Sequence, residues 1–403
     1  MSQLSRIYCV CGGFGFPVGA ASTNRILLMG RALLSAGITF HVWHLGPSSF
    51  PENKQKSGEH QGISWDYLSP SVKRPENKWL RMFYFLWGCL VLPFVLMRGR
   101  RGTCVYLYYQ GDAINLWVLV VCRILGIPVA QECCEWWPGT PNESRFNRWM
   151  YRRIMFRWSD GALPISTLIE KRIREVSRKG YSLLRIPILV DAEKVQQETT
   201  RSPYSPGTDQ PFIFWCGVVD GYFRDPQFLI RALGAARQKH EVQARLVLAG
   251  PCSDAAKNEL MREAANSGLE PDQVIITGFI PEDELFRLAT HAAAALLPLW
   301  DDDRSRSRFP TKLGLYVAAG RPIVTSAIGE IVHYLQDKET ALFAAPDDEV
   351  GWGDAIDALM KDQVLCVRLG ARMEVDVLPR FDYQEVGEEL KSFYNQISDH
   401  PSQ

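Results

Sequence analysis

The chain has 403 residues, of which 46% are apolar and 22% charged, a composition typical of folded globular domains rather than of disordered or fibrous chains. Its 45 Lys and Arg side chains balance 45 Asp and Glu side chains, so no global attraction to nucleic acid or to an anionic membrane is expected. Nucleic acid is therefore not expected as a partner, and any basic site must be local. The length predicts two or three domains.

The ten cysteines are predicted to be free thiols of a protein in a reducing compartment. Most of them lie inside apolar runs, where a thiol behaves as a small hydrophobic group. Because no Cys/His cluster has the spacing of a zinc site, we expect no metal. The segment Met1 to Arg6 lacks the apolar core of a signal peptide, which favours a cytoplasmic location.

The run from Met82 to Met97, MFYFLWGCLVLPFVLM, holds sixteen uncharged residues and includes Pro93. A membrane span needs about 20 residues. Arginines flank both ends: Arg81, Arg98, Arg100 and Arg101. Two interpretations stay open, namely a buried helix and a helix face that dips into a membrane interface. The second predicts a peripheral contact through residues 82–97 at the inner face of the membrane, strengthened by anionic lipid.

Strand-like and helix-like segments alternate along the chain, the pattern of parallel sheets with crossover helices. The segment Arg201 to Gln210, RSPYSPGTDQ, interrupts the alternation, and its prolines, glycine and polar residues indicate a linker. The alternation restarts at Phe212. The sequence therefore predicts two doubly wound α/β domains, over residues 1–200 and 211–382, that face a cleft where ligands bind.

A glycine-rich loop, GGFGFPVGA, follows the first predicted strand. Glycine lets the backbone approach a ligand closely, and the N-terminus of the next helix favours an anion. The loop is not GxGxxG and no acidic residue marks a ribose site, so a flexible turn is an equally good interpretation. The candidate ligand-binding residues here are Gly13, Gly15 and Phe16.

A second candidate site is the basic stretch RSRSRFPTKLG, from Arg304 to Gly314. Arginine can bind a phosphate through two parallel hydrogen bonds, and each charge-assisted bond contributes about 1.5–3 kcal/mol. The alternative is a solvated basic loop balanced by the acidic run Asp301 to Asp303. The four cations of the stretch are Arg304, Arg306, Arg308 and Lys312.

The segment FPTKLGLYVAAGRPIVTS, from Phe309 to Ser326, resembles the signature of family 4 glycosyltransferases, P-x-K-L-x-E-Y-x-A-x-G-x-P-V-V. Further segments resemble other parts of these proteins, bacterial surface-polysaccharide enzymes included, in the same order. The resemblance covers nearly the whole chain. These further segments are AQECCEWWPGT (130–140), GALPIST (161–167), PILVDAEKV (187–195), ARLVLAG (244–250) and VIITGFIPEDELFRLATHAAAALLPL (274–299).

The resemblance implies a GT-B fold, with an N-terminal acceptor domain, a C-terminal nucleotide-sugar domain and a last segment, 383–403, that crosses back to the first domain. It implies a metal-independent hexosyltransferase that moves a sugar from a nucleotide-diphosphate sugar to an acceptor hydroxyl with retention. No cofactor is expected besides this co-substrate. The acceptor would be a glycan, a lipid-linked molecule or another hydroxyl compound, and the role polysaccharide or glycoconjugate synthesis.

The same resemblance assigns candidate residues. Arg224, Arg306 and Lys312 would stabilise the leaving diphosphate by fixed charge. Glu132 and Glu135 would orient or deprotonate the acceptor hydroxyl. The candidate donor-binding residues are Gly13, Gly15, Phe16, Gly217, Arg224, Gly278, Phe279, Ile280, Arg306, Lys312, Leu315 and Glu330.

The sequence also departs from the family pattern. The two glutamates of the family's E-x7-E pair are replaced by Ser307 and Leu315, and the usual arginine after Gly217 is Val218. The second glutamate normally holds the donor ribose, so discrimination between ribose and deoxyribose should be weak unless Glu330 replaces it. Two alternatives to an active transferase stay open: a GT-B-shaped binding protein with impaired catalysis, and a nucleotide-sugar epimerase.

Overall fold

The computed structural model divides the chain into two compact units. The first is Met1–Leu189 together with Tyr383–Gln403, and the second is Val190–Asp382. Residues 190–200, which the sequence analysis assigned to the first domain, therefore group with the second unit. The predicted linker, apart from Gln210, lies outside the described residues, which are 4–12, 14–108, 112–136, 145–200 and 210–399.

The first unit is built on one sheet. Its strands are β1 (Arg6–Cys11), β2 (Thr39–His44), β3 (Ser57–His60), β4 (Ile63–Tyr67), β5 (Thr103–Leu107), β6 (Val129–Cys133), β7 (Gly161–Pro164) and β8 (Ser182–Leu183). The spatial order is β3-β4-β2-β1-β5-β6-β7-β8. Every pair is parallel except β3 with β4. Strands β5 and β6 are buried along their whole length, as expected for a parallel sheet covered on both faces.

Helices cover this sheet. They are α1 (Ala21–Ser35), α2 (Lys78–Arg98), α3 (Asp112–Leu125), α4 (Arg145–Met150), α5 (Phe156–Trp158) and α6 (Thr167–Val176). A π-helical turn, Tyr151–Met155, joins α4 to α5. The β3–β4 hairpin was not predicted. Its turn residues Gln61 and Gly62 have φ angles of 50° and 79°, the geometry of a two-residue hairpin turn.

The second unit is a separate parallel sheet. Its strands are β9 (Phe212–Cys216), β10 (Arg245–Ala249), β11 (Val274–Gly278), β12 (Ala294–Leu297), β13 (Ile323–Thr325) and β14 (Leu342–Phe343), in the order β11-β10-β9-β12-β13-β14. Its helices are α7 (Ala192–Gln197), α8 (Arg224–His240), α9 (Asp254–Asn266), α10 (Glu282–His291), α11 (Asp303–Ser307), α12 (Lys312–Ala318), α13 (Glu349–Lys361) and α14 (Gln363–Arg372). The two parallel sheets confirm the predicted fold class.

The last helix, α15 (Gly387–Asp399), belongs to the first unit. It packs against α1 so closely that a Cβ on Gly387 would lie 2.3 Å from the Ala32 carbonyl oxygen. The guanidinium of Arg31 lies over the ring of Tyr383, 4.2 Å from its centroid. The side chains that α15 buries in the first core are Leu390, Phe393, Tyr394 and Ile397.

Helix α2 contains the apolar run 82–97 and is long and apolar enough to cross a membrane by length and composition alone. Only one face of it is buried, through Gly88, Cys89, Leu92 and Leu96. The interpretation of this run as a buried helix is therefore wrong for its outer face, which stays exposed.

Candidate functional site

The carboxyl ends of β9, β10 and β11 meet at three glycines. The N–H of Gly250 donates to the carbonyl oxygen of Gly278 at 3.0 Å. A Cβ on Gly250 would lie 2.0 Å from the carbonyl oxygen of Gly217, so only glycine fits there. Strand β9 has β10 on one side and β12 on the other. This edge is therefore the point where the strand order reverses, and open α/β sheets bind ligands at that point.

Lys312, the first residue of α12, lies at this edge in a largely buried setting. Its Nζ is 4.1 Å from the ring centroid of Trp215 and 5.3 Å from that of Tyr222. The side chain is only 13% exposed, and its Nζ forms no hydrogen bond within the described part of the chain. A cation whose N–H donors are unused and partly desolvated is poised to bind an anion.

Asp225 is the counter-charge of Lys312. Its Oδ2 lies 3.7 Å from Nζ, beyond hydrogen-bond length, and its Oδ1 accepts a hydrogen bond from Trp300 Nε1 at 2.9 Å. Burial lowers the pKa of Lys312, and the Asp225 carboxylate opposes that shift. Burial likewise raises the pKa of Asp225, against the effect of Lys312. Each partner's charge thus opposes the effect of burial on the other, beside the end of β9.

Arg224 lies next to the same cluster. Its guanidinium stacks over the ring of Trp300, 3.6 Å from the centroid, and donates to both carboxylate oxygens of Asp347 at 2.7 and 2.9 Å. Both partners of this ion pair are more than half exposed. The structure therefore brings the predicted residues Arg224, Lys312 and Gly217 into one cluster.

The remaining predicted donor-binding residues of the second unit differ in burial and in hydrogen-bond partners. Arg306 is exposed and donates to Asp301 at 2.8 Å, the pairing expected for a solvated basic loop. Glu330 is buried, and a Cβ on its neighbour Gly329 would lie 3.2 Å from Arg306 Cα. The other candidates are Phe279, which is 80% exposed, and Gly278, Ile280 and Leu315, which are partly exposed.

The glycine-rich loop of the first unit is a packed turn. A Cβ on Gly15 would lie 2.4 Å from the Val18 carbonyl oxygen. Phe16 is fully buried, its N–H donates to Tyr67 Oη, and Tyr67 O–H donates back to its carbonyl oxygen. The prediction that Phe16 binds the donor is thus contradicted for its side chain, which fills the core. Gly13 lies outside the described residues.

Glu132 is buried and occupied by protein partners. It accepts hydrogen bonds from Tyr106 Oη at 2.5 Å, Arg25 Nη2 at 3.2 Å and Cys134 Sγ at 3.2 Å. Arg25 also donates to the carbonyl oxygens of Ile186 and Pro187. Three of the roughly four hydrogen bonds that a carboxylate can accept are therefore already made within the protein. The role of Glu132 toward an acceptor hydroxyl stays a prediction. Glu135 is half-buried.

Among the residues of these clusters that the sequence did not reveal are Arg25, Asp225 and Trp300. The sequence does carry a signal for the first. Arg25 precedes Met29 and Ala32 by four and seven positions, so it occupies the apolar face of α1. A charged residue on such a face needs a buried partner. Asp225 and Trp300 are 75 positions apart, and no local pattern connects them.

The sequence of this chain is similar to sequences of known glycosyltransferases. Residues 210–362 match the family model described as Glycosyl transferases group 1. An uncharacterized glycosyltransferase of Methanocaldococcus jannaschii is 23% identical over 188 residues. That match covers 46% of this chain and 45% of the relative, so it spans less than half the length of the relative.

Solved structures extend the likeness to the whole chain. A glycosyltransferase from Rickettsia africae superposes with a TM-score of 0.72 at 13% identity, covering 98% of this chain and 99% of the other. HepE of Anabaena, in complex with UDP and glucose, superposes with a TM-score of 0.69 at 12% identity, covering 96% and 99%. The fold is GT-B. The predicted resemblance to glycosyltransferases is confirmed, and the subdivision into family 4 stays a prediction.

Proposed function

We propose that this protein transfers a sugar from a nucleotide-diphosphate sugar to an acceptor hydroxyl, and that the donor diphosphate binds at the carboxyl end of β9. The observation that carries the proposal is the buried Lys312 ammonium, which has no hydrogen bond among the described residues and lies where the strand order reverses. The match of residues 210–362 to group 1 glycosyltransferases supports it.

The chemistry follows from the charge that develops when the donor bond breaks. The bond between the sugar C1 and the diphosphate oxygen is lost, a bond to the acceptor oxygen forms, and the hydroxyl proton leaves with the departing phosphate or to water. Lys312 would stabilise the diphosphate from a fixed position, which needs no reorganisation at the moment of reaction. Arg224 would join it by releasing Asp347, and an exposed pair of this kind costs only about 0–1 kcal/mol to break.

The finer assignments are part of the same proposal. We assign hexosyl transfer with retention, without a metal, in polysaccharide or glycoconjugate synthesis at the cytoplasmic side of a membrane. Glu135 would orient the hydroxyl of a glycan or lipid-linked acceptor, with Glu132 as a positioning residue beneath it. HepE was solved with UDP and glucose, so uridine diphosphate sugars are the first donors to test.

Turnover of a radiolabelled donor tests the proposal. We expect slow hydrolysis of one nucleotide sugar without acceptor, and faster sugar release when a hydroxyl acceptor is supplied. Binding of the donor without turnover would favour a binding protein with impaired catalysis. The reason to consider this alternative is that Ser307 and Leu315 replace the two glutamates of the family. Interconversion of free nucleotide sugars would favour an epimerase instead.

Ribose recognition gives a second test. Leu315 cannot accept a hydrogen bond from a ribose hydroxyl. We therefore expect the dissociation constants of ribo- and deoxyribonucleoside diphosphates to differ by no more than about threefold, which is less than the contribution of one hydrogen bond. Titration calorimetry with paired nucleotides measures this. A preference above tenfold that Glu330→Gln abolishes would instead show that Glu330 holds the ribose.

A further inference from the structure

The outer face of α2 carries a continuous apolar stripe. Its members recur every three or four positions, the spacing that places them on one side of a helix. Each of these side chains is between 50% and 65% exposed. The stripe consists of Trp79, Phe83, Leu86, Leu90, Phe94 and Met97.

The opposite face of α2 fixes the helix flat on the first unit. A Cβ on Gly88 would lie 1.9 Å from the carbonyl oxygen of Leu45, and Phe85 packs over Gly46. Trp117 Nε1 of α3 donates to the Cys89 carbonyl oxygen at 3.0 Å. A helix that crosses a bilayer is surrounded by lipid or by other spanning segments, whereas this one is attached along one side to a water-soluble sheet. Its geometry therefore fits a helix that lies in the plane of an interface.

The charge around the stripe is strongly positive. Between Lys73 and Arg101 there are seven basic side chains and one acid, Glu76. The whole first unit carries 25 Lys and Arg against 15 Asp and Glu, a formal charge of +10, while the second carries 20 against 30, a formal charge of −10. The neutral total conceals this asymmetry, and the expectation of no long-range attraction to an anionic surface fails for the first unit.

We propose that the α2 stripe docks the first unit onto an anionic lipid bilayer, with the apolar side chains in the interface and the basic flanks on the headgroups. A second copy of the chain is a poorer occupant. Two antiparallel α2 helices would place Lys78 of one copy beside Arg98 of the other, and the like charges repel. Anionic lipid instead complements both ends of the helix. This proposal does not depend on the proposed transferase activity.

Flotation with liposomes tests the stripe. The full-length protein should float with vesicles of phosphatidylcholine and 30 mol% phosphatidylglycerol, and Phe94→Glu should leave it at the bottom of the gradient. Val364→Glu is the matched control, because it adds the same charge at a 79% exposed apolar position on the second unit and should float like the native chain. UDP binding by Phe94→Glu should match that of the native chain, which separates lipid docking from donor binding.

The basic flank is tested separately. Combined replacement of Arg98, Arg100 and Arg101 by Gln should weaken partitioning about a hundredfold, since each basic residue near an anionic surface contributes about a fivefold factor. Flotation that is equally strong with pure phosphatidylcholine would overturn the electrostatic part. Native protein that stays at the bottom with both lipids would overturn the proposal, as would a dimer in light scattering that Phe94→Glu dissociates.

Discussion

Arg25→Met should unfold the first unit at temperatures where the native chain is intact. The substitution leaves Glu132 as a buried carboxylate without its cation and removes the donors to the carbonyl oxygens of Ile186 and Pro187. Removing one partner of a buried ion pair costs about 3–5 kcal/mol. For a unit of this size the loss corresponds to a fall in Tm of about 6–20 °C. Calorimetry should show one transition lowered while the other stays in place.

The control is the double variant Arg25→Met/Glu132→Gln. It removes both charges but keeps an acceptor for Tyr106 Oη, so part of the lost stability should return. Losses that simply add would contradict a coupled pair. Glu132→Gln alone also distinguishes two roles. Both roles predict a loss of stability, because the ion pair with Arg25 is broken. A catalytic base should also remove the acidic limb of the pH–activity profile, whereas a positioning residue should leave that limb in place.

Replacing Lys312 should have the largest effect on ligand binding. Lys312→Met should weaken the binding of a nucleoside diphosphate about tenfold to a hundredfold, the equivalent of one charge-assisted contact of about 1.5–3 kcal/mol. If the Lys312 side chain were exposed, its replacement would change the fold stability little. Because Lys312 is largely buried beside Asp225, we now expect a concurrent stability loss of about 1–3 kcal/mol.

Asp225→Asn separates these two effects. It keeps the size of the side chain and removes a carboxylate that repels the diphosphate. The bound diphosphate can itself supply the negative charge that keeps Lys312 protonated, so binding should be as tight as in the native chain or tighter. Titration calorimetry with UDP, at a temperature where all variants are folded, gives the comparison. Undiminished binding by folded Lys312→Met would remove Lys312 from the site, and weaker binding by Asp225→Asn would argue that Asp225 itself contacts the ligand.

Local patterns predicted much of the fold. The strands of the second unit before β14 coincide with short apolar runs that alternate with amphipathic helices, the pattern that the sequence showed after Phe212. The β3–β4 hairpin was missed because its turn uses Gln61, which rarely adopts a positive φ. The spacing of apolar residues could not predict whether α2 is exposed, because a helix buried in a protein core and a helix that faces lipid have the same pattern of apolar residues.

The candidate site was predicted less completely than the fold. Two of its residues lie in segments that the sequence marks locally. Lys312 belongs to the segment that resembles the glycosyltransferase signature, and Gly217 directly follows a predicted strand. Their partners Asp225 and Trp300 join them only through tertiary packing, which sequence spacing does not encode. The charge asymmetry, by contrast, was present in the sequence and was concealed by summing over both units. Counting charges on each side of the linker would have shown most of it.

The return of α15 to the first unit has a consequence for synthesis of the chain. The second unit is one continuous segment, but the first is assembled from residues separated by more than 190 positions. On the ribosome, the apolar surface that Phe393 covers at Gly161 stays open until α15 emerges. The C-terminal half can therefore complete its core before the N-terminal half does, in the reverse of the order in which they are translated.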